Sequence, residues 1–523
     1  MYQCYNCGGE LRFDIPSQRL VCTSCSSDFD PYAVEKPEDA AAETYASMVF
    51  HCPQCGGEIM SQDTTAAAFC SYCGASTVLS QHIVNEKRPR YIIPFKVNKE
   101  RCKELYASKM KRSIFAPKEL RDPKFVDSFR GIYMPYWSYE ILHHGPFRFH
   151  FDKSHRKGDY IITDHYAFNG NLHAEYNGLS HDASSTFADT ISEALAPYDV
   201  KEMVDFTPSY LCGYYADTED VDSRTYEDQV QDTAAAGSLA YIEKNGPPGA
   251  VFKDPDKKSP AKYHAVLKGT TMTLFPVWFL SYRRRDRVAY ATVNGQTGKV
   301  VSDIPISIGK YILATLVLAV PIFFLLEAFL TLVPKVVMSI AALLALVAAA
   351  MFRMQLSMIK KKETEEFPVY DHSSEGKREK ARRRVVHRSS GNASGFMAVL
   401  AILMFAVPVL MVFGSLIYTL SRTFIIPVLS IIGILLLSGS FKKVKKLRAT
   451  GSVWGIFLGL FAFIVMLAVW LISPAKDAYY YFASVAAIAA IMLMMISVMQ
   501  YHNIYATREL PQFANYKGGD NRA

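Results

Sequence analysis

Eight of the ten cysteines stand in four C-x2-C pairs: Cys4/Cys7, Cys22/Cys25, Cys52/Cys55 and Cys70/Cys73. Fourteen residues separate the first pair from the second, and fourteen separate the third from the fourth. One unit, C-x2-C-x14-C-x2-C, therefore occurs twice. Zn2+ takes four thiolates in a tetrahedron, and this spacing is close to that of four-cysteine zinc sites. The expected ligands are Cys4, Cys7, Cys22 and Cys25 for one structural ion, and Cys52, Cys55, Cys70 and Cys73 for a second. A C-x2-C pair reaches one ion only through a tight turn. Gly8, Gly56 and Gly74 follow three of the pairs, and Ser26 follows the other. Disulfides are the competing reading, and a cytosolic, reducing N-terminus argues against them. Cys102 and Cys212 have no sequence partner and read as packed core thiols.

Other chemistry is scarce. The chain has no G-x-G-x-x-G, P-loop, H-E-x-x-H or G-x-S-x-G motif. Seven of its thirteen histidines fall between His143 and His181. Their spacing follows no ligand pattern, so exposed strand faces are expected. No catalytic or cofactor-binding residue is assigned, and an enzyme is not expected.

The elements that carry the cysteines are short. Leu11-Arg12-Phe13 and Leu20-Val21 read as strands of a zinc ribbon at 1–35, and a second ribbon is expected at 48–82. Each is too small to fold on an apolar core without its metal. Residues 91–305 read as an α+β cytosolic domain. Its helical patterns fall at 98–112, 185–196 and 225–243. Its strands include Ile92 to Phe95, Ile132 to Leu142 and Phe147 to Phe151. The clearest stretch is a meander. Leu274 to Tyr282 is a strand, Arg283 to Asp286 a turn, and Arg287 to Val293 a second strand. Asn294-Gly295 opens the next turn, and Lys299 to Val301 starts a third strand. Two phrases are alike: Ile132-Tyr-Met-Pro135-Tyr-Trp137 and Leu274-Phe-Pro276-Val-Trp278. Each puts a proline two residues before a tryptophan, and duplication and coincidence both remain open.

Charge divides the chain. Residues 1–305 hold 34 Lys+Arg against 39 Asp+Glu, a net of −5. Residues 306–523 hold 23 against 10, a net of +13. Six apolar stretches in the second part approach the length of a membrane span: 308–333, 336–352, 396–420, 424–440, 453–473 and 480–499. A wholly soluble protein is excluded. A secretory signal is not expected, since no apolar run of that length follows Met1. The stretches form three hairpins, 306–352, 396–440 and 453–500, joined by basic loops at 353–395 and 441–452 and followed by a tail at 501–523. Residues 353–390 carry eleven Lys+Arg and 442–450 carry five. The alternate connections carry one each, Lys335, Arg422 and Lys476. The positive-inside rule then makes the chain a multi-pass cell-membrane protein with both termini cytoplasmic. The basic loops face the headgroups of membrane lipids, at about 1 kcal/mol per Lys or Arg near the surface. Glu327 is the one acidic residue in the six stretches.

The cysteine quartets resemble TFIIB-type zinc ribbons. The sequel Ile93-Pro94-Phe95, Gly131 to Trp137, Phe275-Pro276-Val-Trp278 and Val293 to Val300 is similar to bacterial membrane-bound zinc-ribbon proteins of the YdjG type. That resemblance implies an anchor that recruits PspA-type envelope-stress proteins or SPFH/flotillin-like proteins. The expected fold is multidomain: two Cys4 ribbons, an α+β cytosolic domain and an α-helical membrane domain.

Three functions follow. The first is a membrane scaffold whose ribbon domain recruits protein partners. The second is a transporter or channel regulated by the ribbons, with Glu327 in its pathway. The third is a membrane-tethered nucleic-acid binder. Residues 1–80 are net −7, and each zinc–tetrathiolate centre adds negative charge, the wrong sign for phosphate.

Overall fold

The computed structural model describes residues 2–62, 70–75, 80–186, 189–252, 265–329, 333–366, 425–445 and 451–511. The expected third apolar stretch, 396–420, most of the first basic loop (367–395) and residues 446–450 of the second lie outside these residues. The chain divides into two compact units. One holds Met1–Arg112, Leu120–Ser302 and Glu509–Ala523, and the other holds Ser113–Glu119 and Asp303–Arg508.

The first unit begins with the sheet β1 (Leu11–Asp14), β2 (Arg19–Cys22) and β3 (Asp28–Phe29). The strands β4 (Thr44–His51), β5 (Glu58–Ser61), β6 (Ser80–Lys87) and β7 (Tyr91–Ile92) follow. Helix α1 (Lys99–Arg112) buries Cys102, Tyr106 and Met110, spaced four residues apart on one face. Then come β8 (Arg130–Lys157), β9 (Tyr160–Asp182), α2 (Asp189–Leu195), β10 (Val204–Asp205) and β11 (Tyr215–Ala216). Helix α3 (Glu227–Lys244), β12 (Val251–Phe252), β13 (Ala265–Arg284), β14 (Arg287–Asn294) and β15 (Val300–Ser302) complete it. The meander at 274–301 forms as expected, while Ile132–Leu142 and Phe147–Phe151 belong to a single 28-residue strand.

The large sheet runs β10-β7-β13-β8-β11-β5-β4-β6. The two proline–tryptophan phrases lie on β8 and β13, its central antiparallel pair. Around them the backbone repeats with two-fold pseudo-symmetry. Trp137 Nε1–H donates to the Val221 carbonyl at 2.7 Å, and Trp278 Nε1–H donates to the Val97 carbonyl at 2.7 Å. Strand β11 runs parallel to β8 with Ala216 opposite Tyr133, and β7 runs parallel to β13 with Ile92 opposite Leu274. The amide of Asp217 bonds to the Tyr133 carbonyl as that of Ile93 bonds to Leu274. The Pro135 carbonyl accepts from Ala183 and the Pro276 carbonyl from Gly295, both at 2.8 Å. Asp182 on β9 faces Tyr136 as Asn294 on β14 faces Val277. Outside them, β10 pairs with β7 as β5 pairs with β11. Residue spacings match in each half: Ile93 to Val97 equals Asp217 to Val221, and Tyr133 to Trp137 equals Leu274 to Trp278. The middle region is thus a structural duplication. Its halves differ most in their hairpins, since β8–β9 far outruns β13–β14.

The second unit contains α4 (Ile308–Phe329), α5 (Pro334–Glu366), α6 (Ile426–Val444), α7 (Trp454–Ile472) and α8 (Ala478–Tyr505). Among the described residues, four helices are long and apolar enough to cross a membrane: Pro334–Lys360, Ile426–Val444, Trp454–Ile472 and Ala478–Tyr505. They pack in a ring, α5 to α8 to α7 to α6 and back to α5. Small residues line the contacts, including Ala342, Ala345 and Ala349 on α5 and Ala483, Ala487 and Ala490 on α8. Between apolar helices in lipid, close van der Waals approach replaces the hydrophobic drive. Gly455 shows how close: a Cβ there would stand 3.0 Å from the Leu493 carbonyl.

Candidate metal centres

All four C-x2-C pairs form the same knuckle. The amide two residues past the second cysteine's predecessor turns back to the first cysteine: Gly8 to Cys4, Ser26 to Cys22, Gly56 to Cys52 and Gly74 to Cys70, at 2.8–3.0 Å. Each first-cysteine amide in turn bonds to the carbonyl at Gly9, Ser27, Gly57 or Ala75. The turn requires positive φ after the second cysteine. Gly8 sits at +74°, Gly56 at +73° and Gly74 at +69°, and Ser26 adopts +59° at the steric cost of its Cβ. Amides at Gly9, Ser24 and Gly57 point at Cys7, Cys22 and Cys55 Sγ, each at 3.4 Å.

The knuckles bring both quartets together as the sequence reading placed them. In each, all four sulfurs lie within 4.8 Å of one another. Cys4–Cys25 and Cys7–Cys22 stand at 3.6 and 3.4 Å, and Cys52–Cys73 and Cys55–Cys70 at 3.9 and 3.7 Å. A tetrahedron with metal–sulfur bonds of about 2.3 Å sets its sulfurs roughly 3.8 Å apart. Both groups therefore fit one tetrahedral ion. Without one, neighbouring thiols share protons. Hydrogen bonding from Ser27 pulls Cys25 down to about 6, and hydrogen bonding from Cys70 pulls Cys52 down to about 6. The same contact with Cys52 pushes Cys70 up. A divalent cation lets all four ionise together.

Their surroundings differ. Cys7 and Cys25 of the first quartet are exposed, whereas every sulfur of the second is buried. The second quartet lies in an apolar cluster with Phe50, Ile59, Tyr72, Phe279 and Tyr290. Tyr290 donates its hydroxyl to the Tyr72 carbonyl at 2.9 Å, and Arg283 Nη1 donates to Gln54 Oε1 at 2.9 Å. The first quartet's ribbon is tied on by its strand face. The Phe13 amide bonds to the Cys212 carbonyl at 2.9 Å, and the Phe13 ring meets Tyr210 edge-on at 5.1 Å.

Cys102 and Cys212 are buried and outside both quartets. The histidines spread along the β8–β9 hairpin. His144, His150, His155, His165 and His173 are exposed, while His143 is buried against Ser238 Oγ at 2.8 Å. The half-buried His181 stacks on Tyr226 at 4.8 Å. Glu327 falls on α4, and its side chain lies outside the described residues. Sequence reasoning missed Asp217. It is buried, accepts hydrogen bonds from Ser184 and Thr186, and is pushed up to about 6 by burial. The duplication carries the one signal for it: the matching position in the other half is the apolar Ile93.

Two four-thiolate centres on a sheet domain, with apolar helices of membrane-spanning length after them, define a class of chain. The particular likeness is to the uncharacterized protein YdjG of Bacillus subtilis (strain 168), 27% identical over 315 residues, which cover 59% of this chain and 91% of that protein. No family model matches the chain. No solved structure matches it either.

Proposed function

We propose that the chain is an integral membrane scaffold. Its quartets hold two structural Zn2+ ions, its helices cross the cell membrane, and its ribbon domain recruits protein partners to the cytoplasmic face. The observation that carries this reading is that each quartet supplies four thiolates. A tetrahedral ion so bound keeps no open position for substrate or water, which suits a structural ion rather than a catalytic one. Orientation draws support from the helix ends. Arg353, Lys360, Lys442, Lys443 and Lys445 collect at the end where Lys443 Nζ reaches Ser357 Oγ at 2.9 Å. At the other end Lys335 lies over the Tyr480 ring. The basic end is the cytoplasmic one under the positive-inside rule. The quartet with two exposed ligands, Cys7 and Cys25 beside the buried Cys4 and Cys22, is the docking element, in a segment, 1–80, whose net charge of −7 suits proteins more than phosphates. PspA-type or flotillin-like proteins are the first candidate partners.

The test is cross-linking in intact cells and purification of the tagged full-length chain, with and without Cys7→Ser/Cys25→Ser. The variant should remain in the membrane fraction and lose its cross-linked partners. Retention of every partner would remove the first ribbon from the role.

A further inference from the structure

We infer that the facing ends of α5 and α6 form a binding site for the phosphate of an anionic phospholipid headgroup, built from Arg353, Ser357 and Lys443. This inference rests on the reading that these helices cross a membrane. Arg353 and Ser357 lie one turn apart on α5, and the Ser357 hydroxyl caps the Arg353 carbonyl at 2.9 Å. Gly439 and Lys443 lie one turn apart on α6. The turns face each other in step. Lys443 Nζ donates to Ser357 Oγ at 2.9 Å, and Arg353 Nη1 points to the Leu436 carbonyl at 3.4 Å. The guanidinium fits because residue 439 is glycine: a Cβ there would overlap Arg353 Nη1.

The site brings like charges together at the half-exposed end of the helix pair. The charges acting on Lys443 come from Arg353 and Lys360, both positive. Among the described residues no carboxylate pairs with Arg353 or Lys443. Two cations held together at the edge of an apolar bundle repel unless an anion lies between them. A guanidinium fork, an ammonium and a hydroxyl are the donors that phosphate recognition uses. The span containing Arg353 ends at Lys360, and that containing Lys443 ends at Val444. Both cations therefore stand within the last turns of their spans, at the depth where lipid phosphates lie. Inorganic phosphate presents the same chemistry, and the experiment separates the two sources.

Full-length protein would be reconstituted in phosphatidylcholine nanodiscs doped with phosphatidylglycerol, and retained lipid read by native mass spectrometry. Phosphatidylglycerol should be retained in preference to phosphatidylcholine. Arg353→Gln/Lys443→Gln should lower that retention roughly tenfold, Lys443→Arg should keep it, and Lys335→Gln at the opposite end should leave it unchanged. Added inorganic phosphate that fails to displace the lipid identifies the headgroup as the ligand. Displacement, with phosphate bound in its place, overturns the lipid assignment. Equal retention of the two lipids overturns the site, as does an equal loss with Lys335→Gln. Alkaline carbonate extraction is the separate control: wild-type protein released by it would bring down the membrane reading itself, whereas an inserted protein without lipid preference brings down only this site.

Discussion

The two cysteine quartets share a spacing, a knuckle and a sulfur tetrahedron, yet one is built into a core and the other is carried on a surface. The residues inside the knuckles account for the difference. Each ribbon has a tyrosine beside a ligand. Tyr5 is 67% exposed, and Tyr72 is 1% exposed among Phe279, Tyr290 and its own cysteines. The second ribbon also donates strand β5 to the large sheet, opposite β11, so its metal centre and the sheet are one piece. The first ribbon keeps a separate three-stranded sheet. An identical motif thus fixes how a metal would be held and leaves open what the holding is for. That second question is decided by apolar flanks and by strand pairing.

The largest effect that would break this comparison comes from removing ligands. Cys52→Ser/Cys73→Ser should cost the first unit on the order of 5 kcal/mol, read as lost hydrogen-exchange protection along β13. Cys7→Ser/Cys25→Ser should leave β13 protected. Equal losses would mean that the two ribbons are equally structural.

A smaller contrast lies in the knuckle glycines. Gly8→Ala and Gly74→Ala both force a side chain into positive φ, at about 1 kcal/mol each. At Gly8 the new Cβ meets nothing within 4 Å, but at Gly74 it stands 3.1 Å from Arg283 Cβ. Gly74→Ala should therefore weaken metal binding further, by roughly another tenfold in a competition titration. Ser26→Gly should do the reverse and stabilise the first ribbon by about 0.5 kcal/mol.

The smallest effect lies away from both ribbons. Burial lowers His181 from 6.5 to about 4. A depressed histidine favours the folded state above its unfolded value, and that advantage is lost as pH falls from 6.5 toward about 4. His181→Phe keeps the stack on Tyr226 and removes the titration. Wild type should lose stability relative to the variant across that window in urea unfolding. Parallel curves would show that the histidine takes up its proton alike in the folded and unfolded states.

Much of this was legible in the sequence, for identifiable reasons. Cysteine spacing alone dictates the knuckles, and Asn294-Gly295 with its alternating flanks marks the meander. The long hairpin was not legible, because Gly145-Pro146 reads as a break. The strand continues because β9 pairs with it from Tyr136 to Lys157; among the described residues, β13 joins its other edge as far as His143 and β12 at Phe151 and Asp152. Among the described residues Pro146 has a ladder partner only on β9, at Asn171, and a proline is tolerated where no neighbour calls on its amide. The duplication showed as one repeated phrase, since its other equivalences are backbone hydrogen bonds that constrain no side chain. The apolar stretch expected at 336–352 stops short of Arg353, whereas the span of α5 continues to Lys360. A helix needs no apolar residue at every position, and Gly439 makes room for this arginine. Burial of the second quartet leaves no local mark in the sequence, because its partners, Phe279 and Tyr290, are more than two hundred residues away in the chain.

The central claim is that one motif serves as core in one place and as an exposed element in the other. Zinc release from the purified full-length protein into excess chelator tests it most directly. The account predicts two ions per chain, one leaving rapidly from Cys4, Cys7, Cys22 and Cys25, and the second leaving only at the rate of unfolding of the first unit. Release of both ions in a single rapid phase, or a total of one ion per chain, would contradict it.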